Sequence, residues 1–252
     1  MNINTDINVL GSITDYQLVI NYIKAAENKN NSDPGFQSYS NVKTTKSFAR
    51  YEAAINSTLL KYKSTAVEDL IKSVLKNEEI SSISMHLLFW NMSYNNELMH
   101  YLNCKVLFPA FYSGRIGIKK DEVVACIKEL RTKESVLKKW SESTIDVTAT
   151  KYISFLAKVG LMKGKRDKVF SHHYVDDKLF VIFVYWLLAI ETKPNVLKSQ
   201  WLQYSLMEKN TFIERMIQNT FRKYFSFQYS GDNMRIEPIL KYEELYDSLK
   251  QS

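Results

Sequence analysis

Residues 118–170 combine a helical pattern of apolar residues with most of the net positive charge of the chain. The segment holds 13 lysine and arginine residues against 7 aspartate and glutamate residues, a balance of +6, whereas all 252 residues together carry +7. Positive charge concentrated on one part of a surface favours a polyanionic partner more strongly than an evenly basic surface does. The segment therefore predicts a surface that binds nucleic acid.

The same segment predicts three helices followed by a basic turn. A first helix begins near Asp121, a short second helix surrounds Leu137, and a polar turn leads into a third helix. We expect Gly160 to end the third helix because glycine tolerates positive φ, and residues 163–168 to form the basic turn. This order predicts a winged helix-turn-helix, whose third helix enters the major groove of DNA. The apolar face of the third helix consists of Ala149, Tyr152, Ile153, Leu156 and Ala157.

The predicted DNA contacts come from the opposite face of the third helix and from the basic turn. Hydroxyl groups can contact phosphates or base edges, and lysine and arginine neutralise phosphates. An ordinary solvated helix face would carry similar residues, but here the charge, the helix order and the basic turn coincide. Since the helix face has no arginine, asparagine or glutamine, we expect a weak sequence preference. The predicted DNA-binding residues are Thr144, Thr148, Thr150, Lys151, Ser154, Lys158, Lys163, Lys165, Arg166 and Lys168.

The composition favours an all-α fold, that is, a mainly helical globular protein. With only 7 glycine and 4 proline residues, the chain is a poor candidate for a turn-rich β fold. We expect an N-terminal helical part at 1–113 that packs on the rest, and a winged helix-turn-helix-like module at 114–175. Residues 176–252 are expected to form a buried helix and a second helix-turn-helix-like module that ends in a hairpin.

The second module is predicted from a loose repeat at an offset of 60 residues. Val136-Leu137 matches Val196-Leu197, and residues 223–238 have the pattern of two short strands around a turn. The outward face of this module mixes acidic and basic residues, so it is a poorer surface for a polyanion. Before it lies an apolar run at 179–190, which is too short to span a bilayer and is therefore expected to be a buried helix.

The sequence lacks the common signatures of catalysis and of cofactor or metal binding. It contains no glycine-rich dinucleotide or phosphate loop and no nucleophile elbow. The four histidines, His86, His100, His172 and His173, do not form a set of ligands at the spacing of a zinc site. The two cysteines, Cys104 and Cys126, are isolated and indicate free thiols in a reducing compartment. We therefore expect a cytoplasmic, monomeric protein without enzymatic activity, cofactor, metal or membrane partner.

The layout of the chain resembles the BrxA family of type 1 bacteriophage-exclusion (BREX) phage-defence systems. The resemblance rests on Trp140-Ser141, Thr144, Tyr152-Ile153, Leu156 and Gly160-Leu161, on the apolar helix at 179–190 and on the aromatic hairpin near the end. It implies an all-helical fold with two helix-turn-helix motifs, binding to double-stranded DNA and no catalysis. It also implies action alongside other BREX proteins, namely an adenine methyltransferase, an ATPase and a phosphatase-like protein.

Two other functions stay open at this point. The basic segment could dock the acidic surface of a partner protein and serve as an interaction scaffold without contacting nucleic acid. Alternatively, the chain could bind single-stranded RNA, with exposed aromatic residues such as Tyr224 or Tyr229 stacking on bases.

Overall fold

The computed structural model describes residues 3–27, 45–76, 79–165, 167–171 and 175–251. The α-helices are α1 Asp6–Leu10, α2 Gln17–Glu27, α3 Thr45–Thr58, α4 Thr65–Leu75, α5 Ser82–Asn95, α6 Glu97–Leu102, α7 Phe108–Tyr112, α8 Lys120–Lys133, α9 Glu142–Lys158, α10 Asp177–Ile190, α11 Lys209–Met216 and α12 Leu245–Lys250. Asn103–Leu107 is a π-helix, and Ser135–Lys139, Val196–Lys198, Leu202–Ser205 and Asn219–Phe221 are 3-10 helices. The strands are β1 Met162–Lys163, β2 Val169–Phe170, β3 Phe225–Ser230 and β4 Asn233–Pro238.

The predicted mainly helical fold class is confirmed, and the strands form two small antiparallel pairs, β1 with β2 and β3 with β4. The described residues group into two compact units: unit 1 lies within 1–61 and 79–172, and unit 2 within 62–78 and 173–252. The sequence analysis assigned α4 to the N-terminal helical part. In the structure α4 belongs to unit 2, because its apolar face packs against α10 and α12.

Unit 1 is organised around α5 and α9. In α5 every residue from Ser84 to Ser93 is buried, so this helix has no solvated face. Helix α9 packs against α1 on one side and α8 on the other. A buried polar chain links the two helices, since Tyr152 donates a hydrogen bond to Asn103 at 2.8 Å and Asn103 donates one to Ser93 at 3.0 Å. The residues on the opposite face of α9 are exposed or half-buried.

Unit 2 is built on α10, the apolar run that the sequence analysis predicted to be a buried helix. Residues 179–187 of this helix are all buried. Asp176 caps its first turn, with the Leu179 amide donating to the Asp176 carboxylate at 2.7 Å. Within the described residues, no helix is both long enough and apolar enough to cross a membrane. The predicted C-terminal hairpin is present as β3 and β4, in which Ser230 pairs with Asn233 across the turn.

The two units share an order of elements that extends the repeat predicted from the sequence. In unit 1, α8 is followed by a 3-10 helix, α9 and the β1–β2 hairpin. In unit 2, α10 is followed by two 3-10 helices, α11, a further 3-10 helix and the β3–β4 hairpin. The internal repeat at an offset of 60 residues is visible in the sequence only after these two helices. The reason is that α8 is amphipathic whereas α10 is apolar on every side. The buried helix α10 thus occupies the place of α8 in this order.

Candidate nucleic-acid interface

Helix α9 presents the outward face that the sequence analysis assigned to DNA. Ser141 caps its N-terminus, since its hydroxyl accepts a hydrogen bond from the Thr144 amide at 3.1 Å. Helix N-caps of this kind satisfy amide groups that have no partner within the helix. Thr150 is exposed, and Lys151 and Ser154 are half-buried on the same face. These three residues therefore lie where the sequence predicted them.

The prediction that Thr148 faces outward is wrong. Its side chain is completely buried, and its hydroxyl donates to the Thr144 carbonyl at 2.8 Å. Thr148 lies within the buried stripe of α9, three residues after Ile145 and four before Tyr152, both of which are completely buried. Residues that are three or four positions apart lie on the same face of a helix. Thr148 therefore belongs to the packing of α9, and Thr144 is half-buried at the start of the helix.

Lys158 also differs from the prediction, because its ammonium group is directed to the protein backbone. The Nζ atom donates to the carbonyl of Gly11 at 2.7 Å and to the carbonyl of Ile13. Burial, with a smaller effect of Lys151 and Lys168, lowers the pKa of Lys158 to about 8. A lysine that is held in this way connects α9 to the end of α1 and is unavailable to phosphate.

The basic turn after α9 is a short hairpin that resembles the predicted ribbon. Met162 pairs with Phe170, and Lys163 pairs with Val169. Gly164 has φ +108°, and a Cβ atom there would collide with the Asp167 carbonyl, so only glycine fits this turn. Lys163 and Lys165 are exposed. Lys168 is half-buried, with its Nζ donating to the Gly164 carbonyl at 3.2 Å, and Arg166 lies outside the described residues.

A segment that the sequence analysis did not use, residues 114–119, lies along this hairpin. The Phe170 amide donates to the Ile116 carbonyl at 2.8 Å. A Cβ atom at Gly117 would lie 2.7 Å from the Lys168 carbonyl, so the two backbones approach closely. The two glycines that flank Arg115-Ile116 were the available signal, since glycine in a strand-like segment often marks close approach of another backbone.

Together these elements enclose a groove with a volume of about 1010 Å³. The groove is lined by residues of the 114–120 segment, of α9 and of the hairpin. Ile118 and Ile153 are buried beneath it, so the floor is partly apolar. Four of the predicted residues line this groove: Thr150, Ser154, Lys165 and Lys168. Three cations of the 114–120 segment, Arg115, Lys119 and Lys120, also line the groove and were not among the predicted residues.

Ion pairs divide the cations of this region into two groups. The acidic residues lie mainly on α8 and at the start of α9, where Glu142 pairs with Lys128 at 2.7 Å and with Arg131 at 2.9 Å. These hydrogen bonds lower the pKa of Glu142. Further pairs join Lys120 to Asp146 at 2.7 Å and Arg115 to Glu122 at 2.6 Å. Within the described ranges, no carboxylate forms an ion pair with Lys119, Lys151, Lys163, Lys165 or Lys168. Lysines without an ion pair within these ranges therefore lie on the groove and the hairpin, where Asp167 is also present, and at the exposed Lys138 and Lys139 of the 3-10 helix before α9.

In unit 2 the corresponding helix is α11, and two of its cations, Arg215 and Lys209, contact other residues of unit 2. The Arg215 guanidinium pairs with Asp177 at 2.6 Å, donates to the Val175 carbonyl and lies 4.7 Å from the centre of the Phe180 ring. Lys209 pairs with Asp232 of the β3–β4 hairpin at 3.2 Å. These contacts indicate a structural role for both cations and a weaker positive field than in unit 1.

The fold and the groove together define a mainly helical protein with a cationic surface on a helix, a hairpin and an adjoining segment. The family model described as BrxA matches residues 40–183, which is more than half of the chain, and the chain belongs to the BrxA family. Membership of this family makes it a component of a BREX phage-defence system. The matched range includes α8, α9, the β1–β2 hairpin and the whole groove. No curated protein and no solved structure is similar enough to the chain to be matched with it.

Proposed function

We propose that this chain is a non-enzymatic protein that binds double-stranded DNA within its BREX system, with weak sequence preference. The observation that carries the proposal is the position of the unpaired cations. Lys119, Lys165 and Lys168 line the groove, Lys163 lies on its hairpin and Lys151 lies on α9, so the five lysines come from three separate elements. Several cations along one surface match a duplex backbone, where negative charges repeat along two strands.

The order of elements supports a winged helix as the geometry of binding. A strand-like segment at 115–118 bonds to β2, α8 and α9 follow it, and the β1–β2 hairpin comes last. In helix-turn-helix domains the second helix of the motif lies in the major groove, and its N-terminal residues contact bases. Thr150 and Ser154 would then be near base edges and sugars, while Lys163 and Lys165 would contact the backbone from the hairpin.

The side chains exposed on α9 explain why the preference for particular DNA sequences should be weak. Its exposed residues near the N-terminus include Asp146, which is repelled by phosphate, and Val147, which has no hydrogen-bonding group. Bidentate recognition of guanine or adenine requires arginine, asparagine or glutamine, and the outward face of α9 has none of them. Affinity would therefore come mainly from phosphates.

The proposal is tested by a mobility shift with duplex DNA, single-stranded DNA and RNA of equal length. We expect the wild type to prefer the duplex and Lys119→Ala/Lys163→Ala/Lys165→Ala to lose most of this binding. The matched control, Lys46→Ala/Arg50→Ala/Lys61→Ala, removes three exposed cations of unit 1 outside the groove and should bind as the wild type does. A preference for single strands would indicate RNA binding instead.

Absence of binding to all three nucleic acids would overturn the proposal. The cationic groove would then be better explained as a docking surface for an acidic partner protein. Other proteins of the same BREX system are the natural candidates, and pull-down with the wild type but not with the groove variant would support this second function.

A further inference from the structure

Ile116 protrudes from the rim of the groove to an unusual extent. Its side chain is 82% exposed, whereas the other exposed large apolar residues that the structure describes lie between 36% and 53%. Single exposed apolar residues are common on protein surfaces and by themselves carry no function. The position of Ile116 among cations, on a fixed segment, is what requires an explanation.

The backbone holds Ile116 in this exposed position. Its carbonyl accepts the Phe170 amide at 2.8 Å, Gly117 packs against the backbone of the hairpin, and Ile118 is anchored in the core. The segment therefore cannot turn the side chain inward without losing the bond to β2. An isoleucine has two rotatable side-chain bonds and a stiff branched first carbon, so it forms a firm apolar projection.

The surroundings of Ile116 attract an anion, yet the side chain itself cannot bind one. Lys119, Lys165 and Lys168 line the same groove with a single carboxylate among the described residues, Asp167, whereas Arg115, which precedes Ile116, pairs with Glu122. A ligand that contacts both the cations and Ile116 must carry negative charge for the former and an apolar surface for the latter. Duplex DNA has this combination, because its phosphates flank stacked bases and sugars.

We propose that Ile116 is an apolar wedge that enters the minor groove next to the major groove occupied by α9 and partly opens one base step. Proteins that bend DNA insert apolar side chains, isoleucine among them, between base steps from the minor groove. The proposal rests on the DNA binding proposed above and adds a deformation of the DNA to it. Flexible pyrimidine–purine steps would be the preferred sites of insertion, since they kink most easily.

A wedge predicts preference for DNA in which a step is already weakened, because less stacking must be lost on insertion. The test compares a short duplex carrying one central T·T mismatch with the fully paired duplex, in competition at one salt concentration. We expect the wild type to bind the mismatched duplex about tenfold more tightly, equivalent to about 1.4 kcal/mol. A 2-aminopurine next to the mismatch should become brighter in the complex as its stacking is lost.

Ile116→Ser should keep salt-sensitive binding to the paired duplex and lose both the mismatch preference and the brightening. Ile116→Phe should retain both, and Ile239→Ser, which alters an isoleucine 53% exposed in unit 2, should behave as the wild type. Salt-sensitive binding without mismatch preference, or a preference that survives in Ile116→Ser, would overturn the wedge alone. Failure of the wild type to bind either duplex would overturn the DNA-binding proposal as well.

Discussion

Lys158, near the end of α9, donates a hydrogen bond to the carbonyl of Gly11 at 2.7 Å, across 147 residues of sequence. The Ile13 carbonyl accepts from the same Nζ atom. At Gly11 a Cβ atom would collide with the backbone of Lys151, so α1 and α9 are in close contact at this point. The N-terminal segment therefore supports the helix that we propose to bind DNA, and Lys158 fixes that contact.

Replacing Lys158 by methionine tests this structural role. Methionine keeps most of the apolar stem but leaves the Gly11 and Ile13 carbonyls without their donor. We expect the free energy of unfolding, measured with urea, to fall by about 1–3 kcal/mol. The affinity for duplex DNA, measured without urea, should change less than twofold. An unchanged stability together with a large loss of affinity would place Lys158 in the DNA contact instead.

The lowered pKa of Lys158 predicts a dependence of stability on pH. The folded protein releases this proton near pH 8, whereas the unfolded chain keeps it up to the ordinary lysine pKa of 10.5. Between these values the unfolded state binds more protons, so the contribution of Lys158 to stability rises as pH increases. The neutral amine still has two N–H donors for the two carbonyls.

The effect is measured by urea unfolding of the wild type and of Lys158→Met. Each protein is unfolded at neutral pH and at an alkaline pH between these two pKa values. We expect the stability of the wild type relative to the variant to increase with pH. A difference that stays constant across the range would show that Lys158 has an ordinary pKa in the folded protein.

Thr148 and Thr150 provide a matched pair on α9, two residues apart in the sequence. Thr150 is exposed at the groove, whereas Thr148 is buried. We expect Thr150→Val to weaken duplex binding about three- to tenfold, the effect of one lost hydrogen bond. Thr148→Val should leave the affinity unchanged and affect only stability. Equal effects of the two substitutions on affinity would contradict the orientation of α9 proposed for DNA binding.

Gly117→Ala tests whether the 114–119 segment holds the hairpin in place. The added methyl group would lie 2.7 Å from the Lys168 carbonyl, so the segment and β2 must move apart. We expect faster hydrogen exchange of the Phe170 amide, whose acceptor is the Ile116 carbonyl, and weaker duplex binding. Ser113→Ala, an exposed position just before the segment, is the control. Unaltered exchange at Phe170 would show that the segment and hairpin are not coupled.

The sequence predicted the elements that depend on local pattern. The amphipathic spacing of α9, the glycine turn of the hairpin and the apolar run of α10 each determine their own local structure, and all three are present. The grouping of apolar residues on one face of α9 also placed Thr150, Lys151 and Ser154 correctly. Local periodicity was sufficient because the spacing of apolar residues within each element determines which of its faces is buried.

The features that the sequence did not predict depend on contacts between distant segments. Lys158 was expected on the outward face, but α1 covers the end of α9 there. The exposed position of Ile116 is fixed by a hydrogen bond to β2, more than 50 residues later, which local pattern does not predict. Thr148 differs for another reason, since its hydroxyl group suggests an exposed position although it lies within the buried stripe, three residues after Ile145.

The most direct test of the account is the salt dependence of duplex affinity for the wild type and for Lys119→Ala/Lys163→Ala/Lys165→Ala. With about five phosphate contacts, the logarithm of the association constant should fall against the logarithm of salt concentration with a slope of about −4 to −5. The variant should show a slope smaller in magnitude by about 3, roughly one for each lost lysine. A slope near zero for the wild type, or equal slopes for both proteins, would contradict DNA binding through this groove.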